Sequence, residues 1–150
     1  MKAKRSLWLV GWWLVGLGIA GAAPENLTLA ITDEINQIRV SAQLPPLLPD
    51  RALAALAGEW SERMARRNRL GHRNDLLEQM KRLGYLAINE NIFSATGPVT
   101  ARDVVAAWMN SPGHRRNLLA PSMNRIGVGQ AINRSGVSYF TFNSAQAAAP

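Results

Sequence analysis

Residues 126–142 read IGVGQAINRSGVSYFTF, and the fold class turns on this stretch. Ile126–Ala131 and Val137–Phe142 alternate or concentrate β-branched and aromatic residues over strand lengths. Asn133-Arg134-Ser135-Gly136 between them has turn chemistry, so the spacing predicts an antiparallel hairpin. Upstream of Pro121 the period is different. Leu27, Ile31, Ile35 and Ile38 recur at helical spacing and predict a helix over about 28–41. Leu44, Pro45, Pro46 and Pro49 end it in an extended connection. Asp50 is then an N-cap for a second helix that carries Leu53, Leu56, Ala57, Trp60 and Met64 on one face, with Gly71 closing the segment. On that helix Glu59 and Glu62 precede Arg63 and Arg66 by four residues, the favourable order for surface ion pairs.

Leu76, Leu77, Met80 and Leu83 mark a third, short helix that stops at Gly84. Thr100-Ala101-Arg102-Asp103 is a capping box opening a fourth helix through Val104, Val105 and Trp108. A further strand is expected over Glu90–Phe93. Helices first and strands last describe an α+β protein with helices packed on a small sheet.

The 150 residues are 47% hydrophobic, enough for one domain with its own core. The first 22 residues stand apart. Lys2, Lys4 and Arg5 precede an uncharged run from Leu7 to Ala20, then small residues with an A-x-A pair at Ala20 and Ala22. This is the layout of a secretory signal peptide cleaved after Ala22. An uncleaved anchor is the alternative, although the run falls a little short of the roughly 20 apolar residues that span a bilayer. Either way the remaining chain is expected outside the cytoplasmic membrane, as a secreted, extracellular or periplasmic protein with no membrane span after cleavage. A monomer is expected.

With no cysteine, neither disulfides nor thiolate ligands nor thiol catalysis are open to this chain. Packing alone must hold the fold. The formal net charge is +7, and Lys2, Lys4 and Arg5 supply three of those charges, which leaves +4 on the mature chain. Arginines concentrate in Arg63–Arg73. Such a patch can favour anionic lipids, acidic wall polymers or nucleic acid. No aromatic residues interleave with it, so nucleic acid is not an expected partner, and the stretch reads as a solvated helix face.

Motifs spread along the chain carry a resemblance. They are Ile35-Asn36-x-x-Arg39, Pro45-Pro46-Leu47, the helix from Leu53 to Met64 leading to Gly71-His72, Asn89-Glu90-Asn91-Ile92, WMNSPGHRRNLL at 108–119, and Ile126-Gly-Val-Gly129. In this order they resemble the CAP superfamily (cysteine-rich secretory proteins, antigen 5 and pathogenesis-related 1 proteins), in its short cysteine-free bacterial branch. The resemblance runs over about residues 27–143, and the domain is drawn at 27–144. It implies an α-β-α sandwich with a small central antiparallel sheet and a cleft lined by histidines and glutamates.

Carried over residue by residue, the resemblance places His72, Glu90 and His114 in that cleft. Pro112 and Gly113 are read as a helix stop, which would put His114 in a loop just beyond it. Two imidazoles and a carboxylate match the ligand set of several catalytic zinc sites. They equally suit a metal-free hydrogen-bonded cluster in which Glu90 orients a histidine. The sequence departs from the family pattern in two places. Met109, Asn110 and Ser111 follow Trp108, where eukaryotic members place a second glutamate, and Asn89 replaces the glycine usual before Glu90.

Trp60 and Trp108 fall on apolar helix faces and read as core. Asn36 and Arg39 read as structural hydrogen-bonding residues. Arg115 and Arg116 are either a solvated pair or a lure for an anionic ligand at the cleft mouth. The N-x-S/T matches at Asn26 and Asn133 are short enough to arise by chance.

Two functions follow from the resemblance. One is a secreted binding module for a lipid, glycan or peptide, with a divalent metal, zinc foremost, as the cofactor to be tested; family members are associated with sterol and lipid binding. The other is a metal-dependent hydrolase of extracellular lipid, peptide or cell-wall substrate, with catalytic residues unknown. The missing second carboxylate favours binding.

Overall fold

The computed structural model describes residues 26–148. The expected signal segment, residues 1–22, lies outside them. Among the described residues no helix is long and apolar enough to cross a membrane.

Helix α1 spans Leu27–Ser41 and is capped by Asn26, whose side chain accepts from the Thr28 amide. The two-residue strand β1, Leu48–Pro49, leads into α2, Arg51–Arg67, which Asp50 caps through the Ala52 and Leu53 amides at 2.8 and 3.1 Å. This helix ends earlier than its sequence predicts. Asn68 takes the left-handed conformation (φ 49°) and stops it, so Gly71 belongs to the following loop. Helix α3, Leu76–Leu83, ends on Gly84 at φ 76°, a left-handed position that glycine occupies without strain. Then come β2 (Ala87–Thr96), α4 (Ala101–Asn110) with its capping box formed, α5 (Pro112–Leu118), β3 (Arg125–Ile132) and β4 (Val137–Gln146).

The sheet order is β1-β3-β4-β2. The three long strands are antiparallel, with Val128 opposite Phe142 and Asn91 opposite Phe142 from the other side. The short β1 pairs parallel to β3 and makes the sheet mixed. It comes from the proline-rich connection, where the Leu48 and Asp50 amides donate to the Asn124 and Ile126 carbonyls on either side of Pro49, which has no N–H to offer.

Alternation along the strands divides the core into two layers. Ile126, Val128, Phe140 and Phe142 face α1, α4 and α5, meeting Ile31, Ile35, Val104, Trp108 and Leu118. Tyr139 and Ile92 face the other way, onto Trp60, Met64 and Ala65 of α2. The result is an α-β-α sandwich. Gly127 and Gly129 set how closely α2 approaches the sheet. A Cβ on Gly127 would fall 2.2 Å from the Ala54 nitrogen, and one on Gly129 would fall 2.2 Å from the Gly58 nitrogen. Strand and helix backbones therefore touch where these side chains are missing.

Arg39 crosses the other layer. It is fully buried, and its guanidinium donates to the carbonyls of Pro45, Leu118, Ala120 and Met123. Those carbonyls belong to the turn after α1 and to the connection from α5 to β3. Asn36 reinforces the same turn, donating to the Leu47 carbonyl and accepting from the Leu47 amide. The asparagines of both N-x-S/T matches have local work as well. Asn26 caps α1, and Asn133 accepts from the Ser135 and Val137 amides to form the hairpin turn.

Candidate functional site

The loop after α2 is held from both sides before it presents His72. The Trp60 indole N–H donates to the Gly71 carbonyl at 2.9 Å. Beyond His72, the Arg73 side chain turns inward, pairs with Asp75 (2.8 Å) and Glu59 (3.2 Å), and donates to the Leu56 carbonyl. Burial opposes its charge, but the three carboxylates Asp75, Glu59 and Glu90 outweigh that effect and hold its pKa above the ordinary arginine value. The expected Glu59–Arg63 pair is therefore absent, because Glu59 serves Arg73. The Glu62–Arg66 pair does form, at 3.3 Å.

Hydrogen bonding to Arg73 holds the Asp75 carboxyl down at about 2. Its folded pKa is thus depressed below the usual value near 3.9, so its contribution to stability is present above that value and is lost as pH falls through about 2. Asp75→Asn should lower the melting temperature at pH 6, and the gap to wild type should close as the pH approaches 2. Parallel melting curves across that range, with no closing gap, would show that the pair adds nothing.

Glu90 projects from β2, the strand at one edge of the sheet. Its side chain is 2% exposed. Oε1 lies 2.8 Å from His72 Nδ1 and accepts from the Arg73 amide at 3.1 Å, while Oε2 is buried without a partner. Burial pushes the Glu90 pKa up, and the hydrogen bonds to His72 and the Arg73 amide only partly oppose that push. The bond to His72 leaves the Nε2 side of that ring free, and its side chain is more than half exposed.

His114 approaches from the opposite helical layer, and here the loop expectation is corrected. Pro112 does not end a helix but begins one. It occupies the first turn of α5, where its missing N–H costs no hydrogen bond and its fixed φ suits helix entry. His114 is thus in the first turn of α5. Asn91 donates to the His114 carbonyl (3.0 Å), and Asn117 bridges the Glu90 carbonyl (3.1 Å) and the Asn91 side-chain oxygen (2.8 Å). These bonds tie α5 to the strand that carries Glu90. The His72 and His114 ring centroids are 6.0 Å apart, tilted by 55°. Partial burial lowers the His114 pKa, and the neighbouring His72 lowers it further, so the ring favours its neutral, ligating form.

The structure therefore brings His72, Glu90 and His114 together at the sheet edge. Asp75 faces Arg73 and does not enter the cleft. Arg115 and Arg116 are exposed. Among the described residues, no group of three or more His, Cys, Asp or Glu side chains is arranged to hold a metal ion. The histidine pair offers two imidazole nitrogens, and Glu90 acts on His72 from behind. Periodicity singled out none of Arg73, Asn91 and Asn117. Nothing local distinguishes a buried asparagine in a strand from a solvated one; only partners 23 to 27 residues away do so.

Comparisons with known proteins bear on the family and the fold. The family model for the cysteine-rich secretory protein family, CAP, matches residues 32–144. The uncharacterized protein YkwD of Bacillus subtilis is 37% identical over 117 residues, covering 72% of this chain and 45% of its own length. An extracellular protein containing an SCP domain from Bacillus anthracis superposes with a TM-score of 0.67 at 29% identity, over 79% of this chain and 40% of that one. An outer surface protein of Borrelia burgdorferi shares the fold at 18% identity, with a TM-score of 0.74 over 84% of this chain and 96% of that one. The chain thus spans less than half the length of the two Bacillus relatives. Family model, sheet order and helical layers agree, and this cysteine-free chain belongs to the CAP, or cysteine-rich secretory protein, family.

Proposed function

We propose that this protein is an extracellular binding module whose cleft, formed by His72, Glu90 and His114, takes a lipid, glycan or peptide ligand with the help of a divalent metal, zinc foremost. The observation that carries this reading is the buried Glu90 carboxylate hydrogen-bonded to His72 Nδ1, with the His114 ring beside it. A carboxylate behind a histidine is the usual support of a metal-ligating imidazole, since it fixes the tautomer and raises basicity at the other nitrogen. His72 and His114 would hold the cation, and Glu90 would orient His72. The cation would supply a Lewis-acidic point of attachment for a ligand oxygen. The basic-apolar-small order of residues 1–22 and the extracellular Bacillus anthracis relative support an exported location.

Binding is favoured over hydrolysis because, among the described residues, Glu90 is the only carboxylate bonded to the histidine pair. One of its oxygens is engaged by His72 and the Arg73 amide, and the other is sealed from solvent. Neither is placed to take a proton from a water in the open cleft.

The test is elemental analysis of the exported protein purified without a histidine tag. Metal should co-purify with wild type and be lost from His72→Ala and His114→Ala, with melting temperatures close to wild type. Glu90→Gln should weaken retention by about 10–100-fold. Chelation should shift the melting temperature little, because two apolar layers close without metal. Equal metal content in all variants removes the metal from the reading. Metal-dependent turnover of a lipid ester, peptide or glycan, lost in all three variants, replaces binding by hydrolysis.

A further inference from the structure

A concave surface includes His72 in its wall. It is a groove of about 450 Å³ whose walls include Trp60, Arg63, Arg67, Arg69, His72 and Asn74. Three guanidiniums line it, and among the described residues none of the three lies within salt-bridge distance of a carboxylate. The absence has a structural cause. Glu59, one turn before Arg63, is drawn to the buried Arg73, and Arg63 instead lies over the Trp60 indole, 5.4 Å from the ring centroid. Arg66 is paired with Glu62 and is not part of the groove wall. The groove therefore gathers the arginines of this stretch that lack an internal counter-charge, on a floor fixed by the Trp60–Gly71 hydrogen bond.

We infer that this groove is an anion subsite that takes a phosphodiester group of the cleft's ligand. Guanidinium forks match phosphoryl oxygens in pairs and remain charged at any physiological pH. His72 is part of the groove wall and its ring centroid is 6.0 Å from that of His114, so a ligand anchored there by phosphate would lie beside the histidine pair. The inference extends the binding reading by naming a charged group on the ligand, while the groove itself needs no metal. The phosphodiester can belong to a soluble polyol phosphate or to a lipid headgroup.

The full exported chain, treated with chelator, is titrated with glycerophosphoglycerol by calorimetry and, separately, with phosphatidylcholine vesicles with and without phosphatidylglycerol by co-sedimentation. The combined variant Arg63→Gln, Arg67→Gln, Arg69→Gln should bind about tenfold or more weakly, since it removes the charge-assisted hydrogen bonds that hold the phosphoryl oxygens. Arg66→Gln and Arg134→Gln should match wild type. Wild-type affinity should fall as salt rises. Binding of the soluble probe assigns the site to a soluble phosphodiester, and binding only to vesicles containing phosphatidylglycerol assigns it to a lipid headgroup. Equal losses from the groove and control variants would mean unspecific charge attraction and overturn the inference, as would no binding in either arm. Because these titrations are metal-free, a failed metal test at His114 leaves them interpretable. A failed titration likewise leaves the metal test standing.

Discussion

Arg39→Ala is expected to lower the melting temperature by about 10–20 °C, corresponding to about 3–5 kcal/mol. The side chain has no exposure, and its acceptors are four backbone carbonyls, with no carboxylate among them. Burial lowers the Arg39 pKa, so the charge is held against a desolvation cost and depends on these bonds. Truncation leaves the buried carbonyls of Leu118 and Met123 without this donor, and each such loss costs about 1–3 kcal/mol unless water enters; the part-buried Pro45 carbonyl loses its donor too, while the Ala120 carbonyl keeps the Met123 amide. Arg39→Lys tests geometry separately from charge. A single ammonium cannot span the turn after α1 and the connection following α5, so lysine should recover less than half of the loss. The connection leads directly from α5, so metal retention at His114 should fall along with stability. Urea unfolding gives the measurement, and a loss below about 1 kcal/mol would show that solvent readily replaces the guanidinium.

Gly127→Ala and Gly129→Ala should each destabilise by about 3 kcal/mol or more, and the double variant should not fold. The added methyl would meet backbone. Around Gly127 the nearest atoms are the Ala54 nitrogen and the Leu53 carbonyl carbon, both at 2.2 Å; around Gly129 they are the Gly58 nitrogen and the Ala57 carbonyl carbon at 2.2 and 2.3 Å. A helix backbone cannot rotate away as a side chain can, so α2 would have to lift from the sheet along its length. That movement would open the Trp60, Met64 and Tyr139 layer and break the buried Ser61 bonds to the Gly129 carbonyl and to Thr141. Gly58→Ala is the control. Its added carbon meets nothing within 4 Å, and it lies in the interior of α2. It should raise stability by about 0.5–1 kcal/mol. Thermal melts of the three single variants check the set: a loss at Gly58 as large as those at Gly127 and Gly129 would mean that the close approach of α2 to the sheet does not set the effect.

The features legible in the sequence are those whose physics is local. Asp50 and Thr100 sit next to the amides they cap, so their roles follow from spacing alone. Gly84 stops α3 through its own backbone freedom, and Asn133-Arg134-Ser135-Gly136 closes the hairpin within a few residues. The period change after Pro121 marks the β3–β4 hairpin, although β2 lies upstream of it, and the ordered motifs carry the family to which the chain belongs. His72, Glu90 and His114 stand out only through those motifs, since no local rule distinguishes them.

Tertiary structure decided where alternatives compete. Asn68 and Gly71 can both end a helix, and packing of Trp60 against the Gly71 carbonyl accompanies the earlier stop. Pro112 can close one helix or open the next, and the bonds from Asn91 and Asn117 favour the short α5 that carries His114. Glu59 has two arginines within reach, one four residues ahead in an exposed helix and one buried in a loop. It pairs with the buried one, because an ion pair is worth more where solvent screens it less and an unpaired buried guanidinium costs more than an exposed one. Sequence spacing records which partners can meet; desolvation, which depends on every layer of the fold at once, determines which of them do.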